Sequence, residues 1–246
     1  MGRIGFRHDA VAEVAEQFRG LTNLKIQGLM THFAAADRLE ETPFTKQQIV
    51  RFNESVRVFR NKGFDPEMID LANSPASIAY PESRGNMVRL GGILYGLGDD
   101  VLPDEVEKPS LKPVLSLRSR VSLLKRVPAG ESLGYGRTFV TKRDSTIATV
   151  PIGYHDGYRR NMSNKATVIV NGSLVPVVGR VSMDWTIIDV TDIPQVELGD
   201  EVILIGTSSE HSITASHLAK LIDTISYEIT CGISRRVPRL YTEKRD

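Results

Sequence analysis

Met68-Ile69-Asp70-Leu71-Ala72-Asn73-Ser74-Pro75 reads as a strand that turns directly into a helix. Five mostly apolar residues are followed by an Asn-Ser turn, and Pro75 falls in a first helical turn, where its missing N–H costs nothing. The same alternation extends on both sides. Upstream, Val11, Val14, Ala15 and Phe18 recur at helical spacing with Asp9 as candidate cap. Leu24 to Met30 then reads as a short buried strand ending at Thr31-His32. Ile49, Phe52, Val56 and Phe59 mark one face of a second helix, stopped by Gly63. Downstream, Met87-Val88-Arg89-Leu90 predicts another buried strand leading into glycines. Strand-then-helix units with polar residues at the strand ends imply a parallel sheet from Arg7 to about Gly98.

The texture changes after Asp99 to Lys112, a polar stretch with Pro103 and Pro109 that reads as a linker. Strands are expected over 114–127, 145–152, 166–170, 174–178, 186–190 and 201–205. Asn171-Gly172 between two apolar runs is a strong hairpin signal, because both residues tolerate the positive φ of a two-residue turn. One helix is expected over 214–222 with Thr214 as its cap. The predicted division is 1–105, α/β, and 111–246, a mainly antiparallel β-domain.

Composition narrows the class of partner. The chain has 246 residues, 41% hydrophobic and 25% charged, and its 31 Lys plus Arg nearly balance 30 Asp plus Glu. That balance gives no electrostatic case for nucleic acid or an anionic membrane. A single cysteine, Cys231, excludes an internal disulfide and fits a reducing, cytoplasmic compartment. No apolar run approaches the roughly 20 residues that span a bilayer. His8, His32, His155, His211 and His217 show no ligand spacing with Cys231 or a carboxylate, so no metal site is expected. Gly96-Leu97-Gly98 lacks the third glycine and following helix of a dinucleotide fingerprint.

Several short motifs stand out in order: Met1-Gly2-Arg3-Ile4-Gly5-Phe6, Thr31-His32-Phe33-Ala34, Val88-Arg89-Leu90-Gly91, Leu133-Gly134-Tyr135-Gly136, 151–158 around Gly153-Tyr154, and Val178-Gly179-Arg180-Val181-Ser182-Met183-Asp184. Singly, each has an ordinary reading: Tyr135 a loop tyrosine in a glycine turn, His32 a half-buried histidine, Arg89 half of an ion pair, Met183 a core methionine. Together, in this order and separation, they resemble the alanine racemases, which bind pyridoxal phosphate (PLP), and the resemblance covers nearly all of the chain.

The resemblance implies the C-terminal part of a PLP-binding (β/α)₈ barrel followed by the β-domain. A full barrel takes about 250 residues, so three or four closing β/α units are expected here. It also implies roles. Tyr135 would be one of two opposed bases in the interconversion of L- and D-alanine, the other being the PLP lysine. A phenol, with its ordinary pKa of about 10, needs positive charge or hydrogen-bond donors nearby to act so, and His32 and Arg89 are the candidates. Arg89 would bond the pyridine nitrogen; being permanently protonated, it would leave that nitrogen unprotonated and the cofactor a weaker electron sink. Ser74, the backbone of Gly91 and Gly92, and Tyr227 would cradle the phosphate; the family commonly has isoleucine where Gly92 stands. Arg3 and the Met183 N–H would meet the substrate carboxylate, and Tyr154 would line the entrance, beside His155 where alanine is usual.

The family's cofactor lysine sits in a Lys-x-x-Ala-Tyr-Gly-His-like motif. Lys25, Lys46, Lys62, Lys108, Lys112, Lys125, Lys142, Lys165, Lys220 and Lys244 all lack that context. The expectation is therefore a racemase-like chain without its front end, inactive by itself, whose full enzyme is a homodimer supplying D-alanine for bacterial cell wall, with Tyr135 reaching the partner's site. The alternatives are a related racemase of serine or broad specificity, or a non-catalytic remnant. A PLP-dependent decarboxylase on the same barrel fits less well, because the Tyr135 and Met183 motifs are racemase-like.

Overall fold

The computed structural model describes residues 1–242; Lys244 and the end of the predicted 111–246 range lie outside the described residues. The chain divides into two compact units, Met1–Lys112 and Pro113–Asp246.

In the first unit a 3₁₀ turn, His8–Ala10, leads into α1 (Val11–Arg19). Then come β1 (Gly28–Met30), α2 (Thr42–Asn61), β2 (Met68–Asp70) and α3 (Ser74–Ala79). Strands β1 and β2 pair in parallel, Gly28 opposite Met68 through Met30 opposite Asp70. The predicted face of α2 is the buried one: Ile49, Phe52 and Val56 pack with Phe33, Leu71, Ala72 and Ala76. Phe59 packs separately with Val11 and Ala15 of α1. Gly63 ends that helix at φ 89°, a conformation an L side chain resists. Asn73 caps α3, its Oδ1 accepting from the Ala76 N–H at 3.2 Å.

Three expectations fail in this unit. Asp9 caps nothing; α1 begins without a side-chain cap, and the Asp9 carboxylate pairs with Arg7, which holds its pKa at about 2. The stretch 24–30 is not a buried strand, for only three residues pair and Gly28 and Met30 are exposed. Only Ile26 and Leu29 reach the helix-packed core. Met87-Val88-Arg89-Leu90 is likewise neither a strand nor buried: one parallel bridge joins Met87 to Asp70, and Met87 and Val88 are exposed. Because Asp70 is the last residue of β2, little ladder remains for it to join, and the chain bends off at Gly91-Gly92.

Among the described residues of the second unit every strand pairing is antiparallel. The predicted strand 114–127 is two strands, β3 (Leu117–Arg120) and β4 (Leu123–Val127). They belong to different sheets, and the chain crosses between them at Val121-Ser122, whose N–H groups bond Asp200 and Thr149 carbonyls. After the short β5 (Ser132–Leu133) and β6 (Phe139–Val140) come β7 (Ser145–Val150), β8 (Thr167–Val170), β9 (Ser173–Pro176), β10 (Thr186–Asp189), β11 (Glu201–Thr207) and β12 (Ser212–Ile213). One sheet runs β10-β7-β4; another runs β12-β11-β8-β9, with β3 also on β11. Asn171 and Gly172, at φ 47° and 80°, make the two-residue turn of the β8–β9 hairpin. Thr214 caps α4 (Ala215–Leu221) as expected, accepting from the His217 N–H at 3.0 Å. A further helix, α5 (Ser226–Cys231), was not foreseen.

Candidate active site

His32, Ser74 and Arg89 all follow the C-terminal ends of the parallel elements β1, β2 and the Met87 bridge, where such sheets carry their sites. The fold brings His32 and Arg89 together. Arg89 Nη2 donates to His32 Nδ1 at 3.0 Å and to the Thr31 and Leu71 carbonyls at 2.9 and 3.3 Å. Arg89 Nη1 is ion-paired with Asp70. The Asp70 side chain is only 7% exposed and that of Arg89 25%, so this is a desolvated pair. Arg89 Nε–H makes no hydrogen bond among the described residues.

A guanidinium has no lone pair to offer, so His32 Nδ1 must be the acceptor and its ring proton sits on Nε2. Burial lowers the His32 pKa below its usual value, and the charges of Arg89 and then Arg3 add to this against the opposing pull of Asp70. His32 is therefore a neutral hydrogen-bond donor near pH 7, rather than a source of positive charge. Arg3 lies exposed on the segment whose Phe6 ring meets Phe59 at 6.1 Å. Ser74 is buried, and its Oγ accepts from the Gly91 N–H at 2.9 Å, fixing the loop that opens the Gly92–Tyr95 turn.

In the second unit, Tyr135 is 69% exposed in a short turn between Gly134 (φ 73°) and Gly136 (φ 70°). Both glycines press on one neighbouring loop: a Cβ on Gly134 would lie 2.9 Å from Arg180 N, and one on Gly136 3.5 Å from the Arg180 guanidinium carbon. The two most distinctive motifs of this half of the chain are thus one structure, the Tyr135 turn resting on Gly179-Arg180.

Tyr154 and Met183 are also brought together, by backbone. Tyr154 N–H donates to the Ser182 carbonyl and His155 N–H to the Met183 carbonyl, both at 3.0 Å. The approach requires glycine at 153, where a Cβ would fall 2.3 Å from Ser182 O. Met183 is half exposed, and its own N–H meets no acceptor among the described residues. Tyr227 lies in the first turn of α5.

Sequence reasoning missed Asp70, Asp156 and Arg236. Asp70 carried a usable signal, since it is the one acid in an apolar run just as Arg89 is the one base in another. Asp156 and Arg236 are 80 residues apart in sequence, and only the fold makes them neighbours.

Comparison with known proteins places the chain in a family. The alanine racemase N-terminal domain family matches residues 1–99 and the alanine racemase C-terminal domain family residues 114–241. An alanine racemase of Halothermothrix orenii is 44% identical over 99% of this chain and 64% of its own length. The crystal structure of alanine racemase from Bacillus anthracis with bound L-Ala-P superposes with a TM-score of 0.89 at 37% identity, covering 100% of this chain and 63% of that one. That from Bartonella henselae with covalently bound pyridoxal phosphate gives 0.84 at 28% identity, covering 98% and 64%. The chain therefore spans a little under two thirds of the proteins it matches. Both domains being represented, the chain belongs to the alanine racemase family.

Proposed function

We propose that these residues serve the interconversion of L- and D-alanine on PLP, within a homodimer of the cytoplasm that feeds cell-wall synthesis. The observation that carries the reading is Arg89: three acceptors and one carboxylate fix its guanidinium while Nε–H stays unused among the described residues. A fixed spare donor suits a pyridine nitrogen. Ser74, Gly91, Gly92 and Tyr227 would line the phosphate end, where the Gly91 N–H is given to Ser74 Oγ and the Ser74 hydroxyl proton would be the one offered to the phosphate. The residues present fit those two ends of the cofactor, though none of the lysines has the motif that would hold its aldehyde.

PLP, when bound, supplies the electron withdrawal that loosens the α-proton of an amino acid. Tyr135 would remove or return that proton at its phenol oxygen, and His32 would orient it through the Nε2 proton. The unused Met183 N–H and Arg3 would hold the alanine carboxylate, and Tyr154 would narrow the approach. On this reading residues 1–105 are the closing β/α units of a (β/α)₈ barrel and 111–246 the β-domain that carries Tyr135 to the partner's site. The parallel β1–β2 pair and the parallel Met87 bridge support it.

Two experiments test the proposal. The 246 residues alone, supplied with PLP, should show no alanine racemisation, and borohydride should fix no stoichiometric PLP adduct at one lysine; such an adduct with activity would show that one of these lysines holds the cofactor after all. Joined to the part of the Halothermothrix relative that it does not match, the chain should racemise alanine in preference to serine. There Tyr135→Phe should slow solvent-deuterium exchange of L-alanine more than of D-alanine, because the two bases serve opposite faces. Equal losses would remove Tyr135 from its role.

A further inference from the structure

Asp156 is a buried acid with every edge in use. Its Oδ2 accepts from the Gly153 N–H at 2.9 Å, closing the turn that carries Tyr154, and its backbone carbonyl accepts from the Ser234 N–H at 2.9 Å. Its Oδ1 faces Arg236 Nε at 2.7 Å. The other edge of the same guanidinium, Nη2, lies 2.8 Å from Oδ1 of Asp184, at the tip of the turn that presents Met183. That turn is tight: both the N–H and the Oγ of Ser182 donate to the Trp185 carbonyl at 2.9 Å. The loop that carries Arg236 is braced on both sides of it, since Arg239 Nη2 donates to Ile233 O at 2.8 Å and Nη1 to Val237 O at 2.7 Å.

We infer that Arg236 is a positioning residue: a planar strut whose two edges set the distance between the Tyr154 turn and the Met183 turn, and so the direction of the unused Met183 N–H. Apart from Arg236, the polar contacts that tie these turns together among the described residues are the two backbone bonds from Tyr154 and His155 and, at their base, the bond from Thr186 Oγ1 to the Ile152 carbonyl at 2.7 Å. Without the guanidinium, the Asp156 and Asp184 carboxylates would lose the cation between them and repel. Lysine could not replace it, because a single ammonium cannot span both acids in one plane. The inference deepens the proposed role of Met183, but it concerns the shape of the turn, so it stands whether or not alanine is the ligand.

Trp185 is the chain's one tryptophan and adjoins Asp184, which makes its fluorescence a reporter of this turn. In the 246-residue chain, Arg236→Met should shift Trp185 emission to the red and speed amide exchange of Tyr154 and His155 about tenfold, while amides of β8 and β11 keep their rates. Arg236→Lys should resemble Arg236→Met rather than the parent. Asp184→Ala, at an exposed turn that cannot endanger folding, should reproduce the Trp185 shift, and adding Arg236→Met to it should shift Trp185 no further. If Asp184→Ala leaves Trp185 emission and the two amides unchanged, or if the effects of the two substitutions on Trp185 simply add, the strut is refuted.

Discussion

In residues 1–112 the polar groups of the candidate site depend on one buried ion pair, Arg89 on Asp70, whereas in the second unit they depend first on glycines that let one backbone reach another, with the half-exposed Arg236 pairs added to them. The contrast follows from the scaffolds. The parallel strands β1 and β2 are three residues long and half exposed, so they offer few backbone contacts, and charge must fix what stands at their ends. In the antiparallel unit, strands such as β7 and β11 are largely buried, and the turns between them are close enough to bond directly. Side-chain changes should therefore hurt most in the first unit and backbone changes most in the second.

The largest effect should come from Gly153→Ala, whose Cβ would overlap two carbonyl oxygens, at 2.3 and 2.4 Å. The second unit should lose on the order of 4 kcal/mol, read from urea unfolding followed by Trp185. A loss under about 1 kcal/mol, in the range of ordinary surface changes, would mean the turn is slack and the contrast false. Next, Asp70→Ala leaves a buried guanidinium without its counter-charge, at about 3 kcal/mol. The loss should appear in the helical circular dichroism dominated by α2 and leave the Trp185 transition in place. Equal movement of both transitions would show that the units do not respond separately. Thr214→Ala should cost about 1 kcal/mol, the usual worth of an N-cap, and should shift only the second unit.

The smallest effect concerns pH. The folded pKa of His32 lies below the ordinary 6.5, so the unfolded chain takes up the proton first. The stabilisation from neutral His32 is complete above about 6.5 and lost as pH falls through the folded value. Urea midpoints of the first unit should decline as pH falls below about 6.5, and His32→Gln should flatten that decline. An unchanged slope in the variant would assign the decline to other groups.

What the sequence disclosed and what it hid follow the same division. The α2 face, the helix opening at Asn73-Ser74-Pro75, the Thr214 cap and the Asn171-Gly172 turn are local patterns, set by residues a few positions apart, and all four are found. The three-residue length of β1 and the absence of a strand at Val88-Arg89 depend on how much neighbouring sheet is there to pair with, which no periodicity records. Of the site, His32 was legible as a polar residue at a strand end and Arg89 as the one base in an apolar run, and the structure joins them. Asp70 was missed although its place in an apolar run marked it, and the Asp156–Arg236–Asp184 set was hidden, because such charged residues read as solvated surface until the fold supplies their partners.

The turn at Asn171-Gly172 also bears on the order in which the second unit assembles. It closes β8 on β9 across two residues, a contact that forms in about 1–10 μs. The β3–β11 ladder must instead join Arg120 to Glu201, far along the chain, and carries a larger loop-closure cost. Because β8 is also the strand on which β11 pairs, the early hairpin supplies the template that the slow ladder needs. Refolding rate, more than final stability, is then what a residue unable to adopt positive φ at position 171 would change.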